Sequence, residues 1–251
     1  MPLYTAETLI LRTYKLGEAD RIVVFLTRDR GKRRGVAKGA RRVRSKFLGA
    51  LEPMTLGRVR YFEREHRDLV RLDEVEILRS AFAVADGEAL GYLGYFAELI
   101  DEWAPEADPN EKLFRLGASI VEALTLGVPV ERVARYFEYW LLRLQGVYPP
   151  LGACPLCRAA LSDEGAVFSP RERVFLCRRC GQSAGAPAGT VSPEALAFLK
   201  AARGRQPHRL GTVPLTARAN RELEAAHLTL MTTHLEKNLK SARVLREMGT
   251  R

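Results

Sequence analysis

Every cysteine in the chain belongs to one of two Cys-x-x-Cys pairs, Cys154 with Cys157 and Cys177 with Cys180, and nineteen residues lie between the pairs. That spacing is the pattern of a tetrahedral zinc site. Each pair can wrap two thiolates around one side of an ion, and the segment between them, with Gly165 and Pro170, is long enough to return as a hairpin. Four sulfur ligands close the coordination sphere. The expected cofactor is therefore one structural Zn2+, with no open position for water or substrate. Two disulfides are the first alternative, but the opening Met1-Pro2-Leu3-Tyr4-Thr5 has no basic and apolar export signal, so reduced thiols are expected. A thioredoxin-type redox pair is the second, and it would need a single motif beside a βαβ unit.

Charge narrows the partner. The chain has 251 residues, 47% of them hydrophobic, which is ample for a packed core, and it carries a formal net charge of +10. It contains no apolar run of membrane-spanning length, so no membrane insertion is expected. A polyanion is the expected partner, nucleic acid ahead of an anionic membrane surface. The charge is also gathered. Arg21, Arg28, Arg30, Lys32, Arg33, Arg34, Lys38, Arg41, Arg42, Arg44 and Lys46 follow one another with Asp29 as the only acid after Asp20. Crowded like charges repel unless an anion offsets them, so Arg33, Arg34, Lys38, Arg41, Arg42, Arg44 and Lys46 are the expected phosphate contacts. The centre of the run, Val36 to Phe47, is rich in small residues and poor in apolar periodicity, and is expected to be a mobile loop that orders on its ligand. A loop serving solubility alone would not need such one-sided charge.

The segments around this loop have the period of strands. Leu9 to Tyr14, Arg21 to Thr27, Lys32 to Lys38, Met54 to Phe62 and Leu69 to Val75 are β-branched or aromatic runs separated by turn material such as Gly17 to Asp20, Asp29-Arg30-Gly31 and the charged tip Glu63 to Asp68. Five short antiparallel strands with charged connections predict a small barrel of the OB type, whose groove takes single strands; an SH3-like barrel has a similar strand count. Tyr14, Phe25, Tyr61 and Phe62 are expected in the core, and Phe47, embedded in the basic run, is the best candidate to stack on a base.

From Arg79 the period becomes 3.6. One helix carries Leu90, Leu93, Phe96, Ala97 and Ile100 and ends near Ala104-Pro105. Gly91 and Gly94 inside it each cost about 1 kcal/mol relative to Ala, so another backbone is expected close by. A second helix is predicted from Asn110 to Leu126, and a third after Pro129, carrying Val133, Tyr136, Phe137, Trp140, Leu141 and Leu144 before Gly146 and Pro149. Gly181 to Val191 reads as linker. Ser192 then caps a helix with Pro193 at its first position. A single last helix is expected from about Thr216 to Met248, with Lys237, Lys240, Arg243 and Arg246 as a second basic face. The predicted fold is α+β: an OB-type barrel at residues 1–79, an α-helical domain made of 80–150 and 190–251, and an inserted four-cysteine zinc-binding module at 151–189.

Three stretches resemble the bacterial recombination mediator RecO family: Leu11-Arg12-Thr13-Tyr14 with Leu16 to Val23, then Val36 to Arg42 and Leu51-Glu52-Pro53-Met54 in the barrel; Tyr139 to Pro149 before the cysteines; and Leu235 to Arg243 near the end. The resemblance runs through the whole chain in order, whereas the zinc expectation rests on spacing alone. It implies a cytoplasmic, nucleoid-associated DNA repair factor that is not an enzyme. Such a protein binds single- and double-stranded DNA, anneals complementary strands, engages single-stranded-DNA-binding protein and, with RecR, helps load RecA.

The residues agree with that role. There is no Gly-x-x-x-x-Gly-Lys-Ser/Thr phosphate loop, no defensible pair of metal-binding acid clusters, and His66, His208, His227 and His234 are too dispersed for a histidine mechanism. For an acidic protein tail, Arg132, Arg135, Tyr136 and Tyr139 on the third helix offer the right spacing, with Arg132 and Tyr136 as the chosen contacts. Two other classes share part of the pattern: a zinc-containing RNA-binding protein of the translation apparatus, and a zinc hydrolase acting on nucleic acid.

Overall fold

The alternating segments of the first eighty residues form five strands in the computed structural model, which describes residues 2–63, 69–83, 85–161, 164–183 and 189–249. They are β1 (Leu3–Leu16), β2 (Asp20–Thr27), β3 (Gly31–Ala37), β4 (Thr55–Phe62) and β5 (Leu69–Ser80). They close into a barrel in the order β1-β2-β3-β5-β4. Every pairing is antiparallel except that of β3 with β5. This is the expected OB-type arrangement. Inward residues of alternate positions, among them Ile10, Val23, Phe25, Ala37, Val59, Tyr61, Val70 and Leu72, share one buried core. The larger apolar side chains among them each contribute about 1.5–3 kcal/mol through burial. A bulge between Ile10 and Arg12 resets the register of β1, so Arg12 and Tyr14 leave the barrel on its outer face.

The connection from β3 to β4 is not the free loop expected from its composition. Backbone hydrogen bonds from Ala40 to Ala37, Arg42 to Gly39, Ser45 to Arg42, Leu48 to Ser45 and Ala50 to Phe47 make it a chain of turns. Phe47, Ala50 and Leu51 anchor it in the barrel core. Phe47 is only 2% exposed and so cannot be the stacking platform. A chain of turns buries residues without a period, which is why the sequence around Phe47 reads as solvent-facing. The charged tip at 64–68 lies outside the described residues.

Helices α1 (Gly87–Trp103) and α2 (Glu111–Thr125) start at side-chain caps, Asp86 accepting from the Ala89 N–H and Asn110 from that of Leu113. Together with the terminal helix α7 (Lys240–Gly249) they belong to the same compact unit as the barrel, Met1–Leu126 with Lys240–Arg251. The close backbone approach expected in α1 is absent at Gly94, where nothing lies within 4 Å of a would-be Cβ. A close approach occurs on α2 instead, and it is to a side chain. A Cβ on Gly117 would meet Leu9 of β1 at 2.5 Å, so the small residue lets helix and strand touch.

The second unit is Gly127–Leu239. It contains α3 (Val130–Leu144), the cysteine module with β6 (Ala166–Ser169), β7 (Val174–Leu176), α4 (Arg178–Ser183) and β8 (Gly189–Val191), then α5 (Pro193–Arg203) and α6 (Ala217–Leu235). Ser192 caps α5 with Pro193 at its start, as predicted. Part of the expected linker from Gly181 to Val191 is ordered structure, since α4 runs to Ser183 and β8 pairs with β6; positions 184–188 lie outside the described residues. The last helix is two helices. Glu236 adopts a left-handed conformation with φ 54°, ending α6, and α7 restarts at Lys240. No Gly or Pro marks this stop in the sequence; packing of α7 against α1 overrides local helix propensity.

A buried polar row joins α3 to α6 inside the second unit. Glu138 accepts from Arg135 at 3.1 Å and faces His227 Nδ1 at 2.9 Å, while His227 Nε2 meets the Tyr148 hydroxyl at 2.9 Å. His227 thus serves the packing of α3 against α6.

Candidate functional site

The β6–β7 hairpin is the return predicted between the two cysteine pairs. Phe168 and Phe175 pack across it with ring centroids 5.3 Å apart, and β7 delivers Cys177 directly after Leu176. Each pair sits in a backbone knuckle. The Arg158 N–H donates to the Cys154 carbonyl at 2.8 Å, and the Gly181 N–H to that of Cys177 at 2.9 Å. Sγ atoms of Cys154, Cys157, Cys177 and Cys180 all lie within 4.8 Å of one another. A tetrahedron of Zn–S bonds near 2.3 Å sets its sulfurs about 3.8 Å apart, so the cluster fits that ion. The 3.5 Å between Cys157 and Cys177 sulfurs is far longer than a disulfide bond, and all four cysteines are free.

Electrostatics favour a cation at the centre. Burial opposes a thiolate at Cys154, yet hydrogen bonds from the backbone N–H groups of Cys177, Cys157 and Leu156 outweigh it and lower its pKa to about 6. The neighbouring Cys157 and Cys177 thiols push Cys180 the other way, up to about 12. One thiolate forms easily and the last only when positive charge offsets its neighbours, which is what a divalent metal supplies.

The basic run divides sharply. Lys38, Arg41, Arg42 and Arg44 are exposed on the turn chain. Among the described residues none of these four has an ion-pair partner. The chain is pinned to the β1–β2 tip: the Arg41 N–H donates to the Ala19 carbonyl at 2.9 Å, its Nη1 donates to the Gly17 carbonyl at 2.9 Å, and the Gly39 N–H donates to Asp20 Oδ1 at 2.8 Å. Arg33, Arg34 and Lys46 face carboxylates instead, Glu63 at 2.9 Å, Glu106 at 3.1 Å and Asp73 at 3.4 Å. Exposed pairs of this kind contribute about 0–1 kcal/mol, so Arg34 and Lys46 can exchange their partner for a phosphate. Arg33 is the least available, its side chain being 20% exposed.

The expected second basic face is broken at the α6–α7 junction. Lys237 lies in the break, Lys240 opens α7, and Arg243 stands 3.7 Å from Glu247. The side chain of Arg246 lies outside the described residues. Like Phe47, a second aromatic was misplaced by sequence reasoning. Tyr14, expected in the core, is 50% exposed on the outer face of the barrel, because the bulge in β1 leaves no mark in the residue pattern.

On α3, Tyr136 is 8% exposed. Arg132 is tied down as well, its Nε donating to the Val213 carbonyl at 2.9 Å. Tyr139 and Arg143, a turn further on, line a cavity of about 820 Å³ with Tyr148, Leu196, Lys200 and Arg203. Among the described residues no helix is long and apolar enough to cross a membrane.

Fold and cysteine cluster together define an OB-domain protein with a helical body and a candidate four-thiolate metal centre. Comparison with known proteins gives the family. Residues 1–81 match the family model described as recombination protein O N terminal, and residues 84–243 match that of recombination protein O C terminal. A DNA repair protein RecO from Koribacter versatilis is 36% identical over 245 residues, covering 97% of this chain and 98% of the relative. That of Anaeromyxobacter sp. (strain Fw109-5) is 37% identical over 246 residues, covering 96% and 94%. That of Pelotomaculum thermopropionicum is 32% identical over 250 residues, covering 99% and 96%. The chain belongs to the RecO family of DNA repair proteins.

Proposed function

We propose that this chain is a recombination mediator without enzymatic activity. In this reading it binds single- and double-stranded DNA without sequence specificity, anneals complementary strands and, with RecR, helps load RecA onto DNA covered by single-stranded-DNA-binding protein. Its setting is the bacterial cytoplasm, at the nucleoid. The observation that carries the reading is the set of cations at Lys38, Arg41, Arg42 and Arg44, exposed and held against the barrel tip in a chain of this family. Two strands repel through their phosphates. A surface that displaces counterions from both lowers that barrier without reading bases.

Cys154, Cys157, Cys177 and Cys180 would hold one Zn2+, which supplies folding energy to the module. An acidic tail of single-stranded-DNA-binding protein would dock on α3, at Arg132 and Tyr136 or at the neighbouring cavity beside Arg143. The test is strand annealing by the purified protein without nucleotide, beside a pull-down on single-stranded-DNA-binding protein. Annealing and capture are expected. Annealing that requires ATP, or strand cleavage lost on Cys177→Ser in a folded protein, would contradict the proposal.

A further inference from the structure

Paired residues on neighbouring strands project to the same side of a sheet. The register aligns Tyr14 of β1 with Ile22 of β2, Ile22 with Val36 of β3, and Val36 with Arg71 of β5. Their chain neighbours Val23, Ala37, Val70 and Leu72 point into the barrel core, so this row lies on the outside. Four strands at the usual spacing make it about 14 Å long. Tyr14 is 50% exposed. Ile22 and Val36 are partly open, and Arg71 and Lys38, the residue after β3, are exposed. Charge alone does not account for a half-exposed aromatic and two β-branched residues in a line beside cations that have no ion-pair partner among the described residues. Water is a poor partner for the apolar part of the row, and a duplex, whose base faces are already stacked, is no better. Unpaired bases match it: their faces stack on an aromatic ring while their phosphates meet Lys38 and Arg71.

We infer that the row Tyr14–Ile22–Val36–Arg71 is a single-strand site on which Tyr14 stacks against a base. The inference rests on the DNA-binding reading above and adds to it a role for base faces, distinct from the phosphate contacts of Lys38, Arg41, Arg42 and Arg44. Fluorescence anisotropy with three labelled ligands of equal length separates the two: an oligo-dT strand, an abasic strand with the same backbone, and a duplex. Tyr14→Ala is expected to weaken oligo-dT binding about tenfold and to leave the abasic strand and the duplex unchanged, with Tyr14→Trp restoring the loss. The combined Lys38→Glu, Arg41→Glu and Arg42→Glu variant is expected to weaken all three. If Tyr14→Ala binds oligo-dT as the wild type does, or loses all three ligands equally, the stacking role is overturned while the charge result still supports DNA binding. If charge reversal changes none of the three, the DNA-binding reading fails and the stacking site with it.

Discussion

Lys32 and Lys38 stand six positions apart in one basic run, and their surroundings give them opposite tasks. Lys32 is 8% exposed. Its Nζ donates to the Asp101 carbonyl at 2.7 Å and stands 3.1 Å from the Asp101 carboxylate. Arg12, 3.2 Å from the other Asp101 oxygen, keeps that carboxylate partly offset, so Lys32→Ala, which removes a buried hydrogen bond and one of two cations, is expected to cost about 2 kcal/mol in urea unfolding. Lys38→Ala, on the exposed turn, is expected to stay within about 0.5 kcal/mol of wild type. Equal losses for the two variants would contradict this division. Strand period could have separated them only in part. It places successive residues on opposite faces, but whether a helix then covers the outer face is decided by residues some seventy positions away. Phe47 and Tyr14 exchanged their expected places for similar reasons: one is buried by turns that have no period, the other turned outward by a bulge.

Caps and chemistry-bearing spacings were the legible part of each element. Asn110 and Ser192 begin helices where expected because a side-chain oxygen must satisfy the free N–H groups of a first turn, and Pro193 suits the first position because it has no N–H to leave unpaired. The cysteines were legible because one ion dictates both pairs. The break between α6 and α7 was not, since the group that caps α7 comes from α1. Glu98 accepts from the Ser241 N–H at 2.7 Å and that of Lys240 at 3.3 Å, and also from the Ser241 hydroxyl. Burial acts to raise the pKa of Glu98, but the Ser241 hydroxyl, the two N–H groups and Arg12 outweigh it and hold the carboxyl below its ordinary 4.5. A carboxyl with a depressed folded-state pKa stabilises fully above its unfolded value and loses that contribution as pH falls through the folded one. Amide exchange across residues 240–249 is therefore expected to rise below about pH 4.5, and Glu98→Gln to raise it at neutral pH. Unchanged exchange in that variant would remove Glu98 as the cap. In the cysteine module, chelation of bound metal or Cys177→Ser is expected to abolish the amide protection of β6 and β7, because structural zinc contributes folding energy directly. Protection that survives metal removal would assign the fold of the module to its phenylalanine pair alone.

On the scale of the whole molecule, the period changes near residue 79 told where strands give way to helices and not which helices share a unit with the barrel. That depends on contacts such as Gly117 with Leu9, which no local pattern announces. The two units are also expected to differ in acid sensitivity. Burial lowers the pKa of His227 below its ordinary 6.5, against the opposing pull of Glu138. The unfolded chain then binds more protons, so the contribution of His227 is complete above pH 6.5 and declines as pH falls below it. Calorimetry is expected to show the second unit losing stability first on mild acidification, with His227→Gln flattening that dependence.

The central claim is that DNA settles on the cations of the barrel tip. The direct measurement is the salt dependence of oligo-dT affinity for the wild type and for the variant with Lys38, Arg41 and Arg42 each changed to Glu. Each phosphate neutralised on a single strand adds about −0.7 to the slope of log K against log salt, so four contacts predict about −3 and the variant a slope shallower by about 2. A slope that is the same in both proteins would contradict the account.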